Sequence, residues 1–130
     1  MPSLQLAGVV LLCGLALPAA LASAEEPRGY FSGAEILQSC TEPVKPLAAR
    51  STQELLDAGV CAGFLGAVAD TMKCESPGIA GERAAVPAEV GLLELALVVE
   101  KWLGDHAGDL HKAGAPLVAR ALAERWPCSK

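Results

Sequence analysis

Two groups of residues in this chain have the types and spacing for chemistry. Four cysteines, Cys40, Cys61, Cys74 and Cys128, follow an apolar N-terminal stretch that carries a fifth, Cys13. The only two histidines, His106 and His111, share a short segment with Asp105 and Asp109. Imidazoles beside carboxylates could serve as an acid/base pair or hold a metal ion. That chemistry lacks a reacting partner, because no serine sits in an elbow-type motif and the cysteines have a better use. An even number of cysteines in an exported chain points to two disulfides, and four allow three pairings. Zinc would want CxxC-type clusters, and redox catalysis a CxxC pair; neither occurs. Neither a cofactor nor a metal is therefore expected, and enzymatic activity is the weakest reading.

The same acidic segment reads better as a contact surface. Asp105, His106, Asp109, Leu110 and His111 are the expected partner-binding residues, with Glu75 to Val86 as a second contact region. Trp102 would be an anchor if exposed, but a tryptophan near a helix end is better placed in the core. Glu94, Glu100 and Lys101 read as ordinary surface charge on the outer side of a helix.

Export is inferred from the first 24 residues, which carry no charged side chain. Leu4 to Leu17 is apolar, Pro18 breaks the run, and Ala22-Ser23-Ala24 supplies the small-x-small pattern of signal-peptide cleavage. Residues 1–24 are thus expected to be a signal peptide and 25–130 a single domain. No lasting membrane span is expected after cleavage, and an uncleaved anchor is the rival reading.

Helix signals place the remaining residues. Ser32-Gly-Ala-Glu35 and Ser51-Thr-Gln-Glu54 are capping boxes, which satisfy orphan amides at helix starts. The first opens a short helix over about Gly33 to Ser39. The second opens a helix reaching about Lys73, with Leu55, Leu56, Val60, Phe64, Leu65 and Val68 on one stripe. Pro77, Gly78 and Gly81 mark a loop. A third helix is expected over Ala88 to Leu103, with Pro87 at its start and Leu92, Leu95, Val99 and Leu103 buried. The fourth runs from about Lys112 to Arg125, with Leu117, Val118, Ala121 and Leu122 inward. Gly59, Gly63 and Gly66 in the second helix suggest close approach of another helix, since each otherwise weakens it.

The fold class is accordingly all-α: a small four-helix, up-down-like bundle stapled by two disulfides. In that topology the first helix ends near the second, bringing Cys40 towards Cys61. The second and fourth helices run the same way, bringing Cys74 towards Cys128.

The whole chain has 130 residues, a formal charge of −5, 52% hydrophobic and 4% aromatic residues. It is too short for a Rossmann or barrel enzyme. With no basic run it makes a poor nucleic-acid binder. Its negative charge would speed encounter with a basic protein.

Cys61-Ala-Gly-Phe-Leu-Gly-Ala-Val-Ala-Asp70 resembles the Cys-x-Gly-aromatic-Ile/Leu-x-Gly-Val-x-Asp signature of the Rap/Tai family. Val98-Val-Glu-Lys-Trp102-Leu103 is similar to that family's Val-Val-x-x-Tyr-Leu segment. Leu117 to Cys128 resembles its Ala-Leu-x-x-x-Phe-Pro-Cys ending. Ala67 stands for the family's glycine, Trp126 for its phenylalanine, and the loop after Cys74 is longer. The likeness spans about Phe31 to Cys128. It implies a periplasmic immunity protein that binds and blocks a peptidoglycan amidase effector delivered by type VI secretion. Homodimerisation is a further expectation of the resemblance. A small acid-activated periplasmic chaperone, or a structural envelope subunit, is the alternative. Acidification would neutralise the fifteen carboxylates and loosen such a chaperone near pH 2–3, to bind clients.

Overall fold

The two capping boxes form as their spacing dictates. In a computed structural model, which describes residues 29–41 and 46–129, the Ser32 hydroxyl accepts from the Glu35 amide at 3.3 Å. The Glu35 carboxylate in return accepts from the Ser32 amide at 2.8 Å. Ser51 and Glu54 repeat the exchange at 3.2 and 2.6 Å. These boxes start α1 (Gly33–Cys40) and α2 (Thr52–Thr71). Helices α3 (Leu92–Asp105) and α4 (Gly114–Arg125) complete the set, with 3₁₀ turns at Leu47–Ala49 and Ala107–Asp109. Among the described residues the only extended pairings are isolated bridges, so the class is all-α. The expected signal peptide lies outside the described residues.

Two ends of the bundle are defined by who meets whom. At one end, the start of α1 meets the start of α4: Gly33 donates to the Lys112 carbonyl, and Gly114 to that of Phe31. At the other, Ala84 donates to Met72 at the end of α2, and Ala85 to Trp126 at the end of α4. The Cys74–Cys128 disulfide closes this second end, with a Cα separation of 5.8 Å. Cys40–Cys61 is the other bridge, at 5.1 Å. Both pairings agree with the topological expectation. In detail, α1 is so short that its end reaches the middle of α2 rather than the start.

The core is one cluster that includes Ile36, Cys40, Cys61, Leu65, Met72, Val99, Leu103, Val118 and Leu122. On α4 the four expected positions, Leu117, Val118, Ala121 and Leu122, are all buried. On α3 Leu95, Val99 and Leu103 are buried as expected, but parts of α2 and α3 need correction. Leu55 and Leu56 were expected on the buried stripe of α2 but are 44% and 59% exposed. They stand a third of a turn or more away from the Cys61–Leu65–Val68–Met72 line that meets the core. Helix α3 starts at Leu92 and not Ala88, because Pro87 to Val90 close a turn through a Val90 to Pro87 hydrogen bond of 3.1 Å. Leu92 then falls in the first helical turn, half-exposed.

The glycine-rich face of α2 was expected to meet another backbone, and it does not. A methyl group at Gly59 or Gly63 would touch nothing within 4 Å, and at Gly66 only the tip of Leu92. Close approach occurs elsewhere. A Cβ on Gly114 would lie 2.9 Å from Ile36 Cγ1 and 3.1 Å from the Phe31 carbonyl. One on Gly33 would lie 3.2 Å from both Cα and carbonyl oxygen of Leu110. Bare backbone at the start of α1 and of α4 is what lets these two helices touch.

Candidate partner-binding site

Residues 105–111 connect α3 to α4 at the end where α1 begins. Each of the five expected residues has a distinct setting. Asp105 ends α3, exposed, with its carboxylate 2.7 Å from Lys101 Nζ one turn back. Asp109 pairs with Lys112 at 2.9 Å. Both carboxyls are held below the usual aspartate value by a hydrogen bond from the paired lysine and then by its charge. Arg120 and His106 add smaller favourable charge effects at Asp109. The two aspartates are thus ionised and matched by two lysines, so the local charge is close to balanced.

His106 lies flat against Trp102, ring centroids 3.7 Å apart and planes within 12°. Its Nδ1 is 2.7 Å from the Trp102 carbonyl oxygen, so that nitrogen carries the proton and donates it. Trp102 is itself buried at 8% exposure, and its indole N–H donates to Glu124 at 2.8 Å. It belongs to the core and is not a free anchor. Leu110 packs against the core from the edge, and its carbonyl accepts from the Ala34 amide at 2.9 Å. His111 is exposed, as are Ala107 and Gly108 in the 3₁₀ turn. The segment is therefore a pinned ledge whose outward surface is Ala107, Gly108, His111 and the rim of Asp105. Among the described residues, no group of three or more metal-ligating side chains comes together.

The second expected region, Glu75 to Val86, lies at the opposite end of the bundle. Ser76 Oγ bonds to the carbonyls of Thr71 and Lys73, both at 2.7 Å, and accepts from the Gly78 amide. Ile79 and Glu82 exchange two backbone hydrogen bonds around Ala80 and Gly81, both with positive φ, the pattern of a tight hairpin turn. Beside it, a groove of about 650 Å³ runs between the end of α2 and the extended 84–88 segment. Ala69, Val90 and Leu95 line it, with Asp70, Lys73 and Glu75 among its polar lining. Sequence reasoning did not find this groove. One wall, 84–88, is alanines, a valine and a proline in a stretch that shows no periodicity.

The description of the Rap1a immunity proteins matches residues 32–128, from the first capping box to the last bridged cysteine. The chain belongs to this family. No curated protein matches it. In this Rap1a immunity protein the four helices and the two disulfides make up the frame. The disulfides and the family together are consistent with an exported protein.

Proposed function

We propose that this Rap1a immunity protein acts in the periplasm as a non-catalytic inhibitor of a cognate peptidoglycan amidase effector of type VI secretion, with residues 1–24 serving as its signal peptide. The family match over nearly all of the described chain carries this reading. The pinned ledge at 105–111 supports it, because an inhibitor that enters a cleft gains affinity when its contact residues are ordered beforehand. Papain-like amidases work with a cysteine–histidine pair, and a small outward turn with an imidazole suits entry into such a cleft. Asp105, His106, Asp109, Leu110 and His111 then divide by role. His111 and Asp105 touch the partner, whereas His106, Asp109 and Leu110 hold the ledge in shape.

The geometry adds a constraint. Helix α3, 14 residues long, separates the ledge from the 75–86 region by about 20 Å at 1.5 Å per residue. A partner touching both regions must lie along the bundle and not cap one end.

The test is affinity capture with the purified oxidised protein, followed by a binding titration with the amidase recovered. Gly108→Arg and His111→Ala are the informative variants. A Cβ at Gly108 meets nothing, so the fold is kept. The double variant is expected to weaken binding at least about tenfold, or about 1.4 kcal/mol. Unchanged affinity would remove the ledge from the interface. Retention of many unrelated clients only after acid treatment would favour a chaperone instead.

A further inference from the structure

The two disulfides sit in very different surroundings. Cys40 and Cys61 are 0% and 2% exposed, inside the main core. Cys74 and Cys128 are both only half-buried, at the end of the bundle, and Cys74 lines the open groove beside α2. We propose that Cys74–Cys128 is a site of thiol–disulfide exchange with an external thiolate, cleaved while Cys40–Cys61 and the helical bundle stay intact.

Exchange needs a thiolate to reach one sulfur in line with the bond, and it runs faster when the departing sulfur makes the more stable thiolate. Burial denies that approach at Cys40–Cys61. At the other bridge both cysteines are partly exposed. Lys73 and the Arg83 guanidinium, which donates to the Cys74 carbonyl at 3.0 Å, are matched by Asp70 and Glu75 beside the groove. The incoming thiolate forms a bond to one of the two Sγ atoms while the Sγ–Sγ bond breaks, its electron pair leaving on the other. A second external thiolate then attacks the sulfur of the first, forming an external disulfide and releasing the remaining cysteine as thiolate. The protein gains two electrons from the two external thiolates, and its own two thiolates take up protons from water according to pH. The donor class is a small thiol or the dithiol of a redox protein.

What the cleavage releases is also fixed by the structure. Ala84 still donates to Met72 at 2.7 Å and Ala85 to Trp126 at 2.8 Å. The 84–85 strap therefore stays on the bundle, and Ser76 still holds the start of the loop to the carbonyls of Thr71 and Lys73. The tail after Pro127 loses its tether, and the ledge at the far end is untouched.

The test is reduction of the oxidised protein under native conditions with graded glutathione, then acid quench, alkylation and peptide mapping. Cys74 and Cys128 are expected to be labelled at least about tenfold before Cys40 and Cys61, with an unchanged far-UV spectrum. The transient glutathione adduct is expected on Cys74 or Cys128 and on neither cysteine of the buried bridge. Simultaneous loss of both bridges, prior loss of Cys40–Cys61, or resistance of both until denaturant is added would overturn the proposal. An adduct on Cys40 or Cys61 before any on Cys74 or Cys128 would likewise overturn it. Because the assay reads the wild-type chain, no variant has to fold.

Discussion

At the scale of single residues, glycine means opposite things in different parts of this chain. Gly59 and Gly63 face open space in the middle of α2, so alanine there restores helix propensity without a clash. Each replacement is expected to raise stability by up to about 1 kcal/mol, read as a higher denaturant midpoint. Gly114 faces Ile36 and two carbonyl oxygens, and Gly114→Ala should cost about 1–3 kcal/mol through forced displacement. The sequence offers no sign of this difference. Both kinds of glycine occur beside small and apolar residues, and only the packing of α1 on α4 separates them. The same holds for the two histidines, which look equivalent in sequence. His106 is spent on Trp102 while His111 faces outward, because four positions back from His106 on α3 stands an aromatic ring and not a charge.

At the scale of the elements, local signals were sufficient where they rested on reciprocal hydrogen bonds. Both capping boxes form, and Ser51→Ala is expected to cost about 1 kcal/mol, measurable by thermal melting. Glu35 gives this scale a pH dependence. Its carboxyl accepts from the Ser32 backbone and side chain, which holds it below the usual glutamate value of 4.5. A carboxyl with a lowered folded pKa stabilises the fold fully above its unfolded value and loses that contribution as pH falls through the folded one. Asp105 and Asp109 act in the same direction. The melting temperature should therefore be flat near neutrality and fall below about pH 4.5. Glu35→Gln should lower it at neutral pH and flatten the acid limb. The boundary of α3 was less legible. Proline at position 87 suits a first helical turn as well as an ordinary turn, and the choice depends on the strap before it being tied to Met72 and Trp126.

At the scale of the whole molecule, the fold was largely legible because helix periodicity and the cysteine count constrain each other. The α4 stripe and both disulfide pairings follow from them. The ledge could be located but not its character. Its balanced charge depends on Lys101 and Lys112 reaching Asp105 and Asp109, which requires the helix end and the 3₁₀ turn to be in place. Loop entropy alone would rank the bridges by their separations of 21 and 54 residues, at about 3 and 4 kcal/mol. The shorter one is buried, so its removal also opens the core. Cys40→Ala/Cys61→Ala is accordingly expected to destabilise at least as much as Cys74→Ala/Cys128→Ala, checked by urea titration of the two variants. One further property follows from the pairing order. Each bridge joins neighbours among the four cysteines of the described residues: the first with the second, the third with the fourth. If the chain is exported as proposed and Cys13 is removed with residues 1–24, a chain emerging amino end first into an oxidising compartment presents Cys61 as the next available partner for Cys40, before Cys74 has appeared. Cys74 in turn finds Cys40 already taken and waits for Cys128. Oxidation in order of arrival thus gives the native bridges directly, and correct maturation of this protein should not depend on a disulfide isomerase.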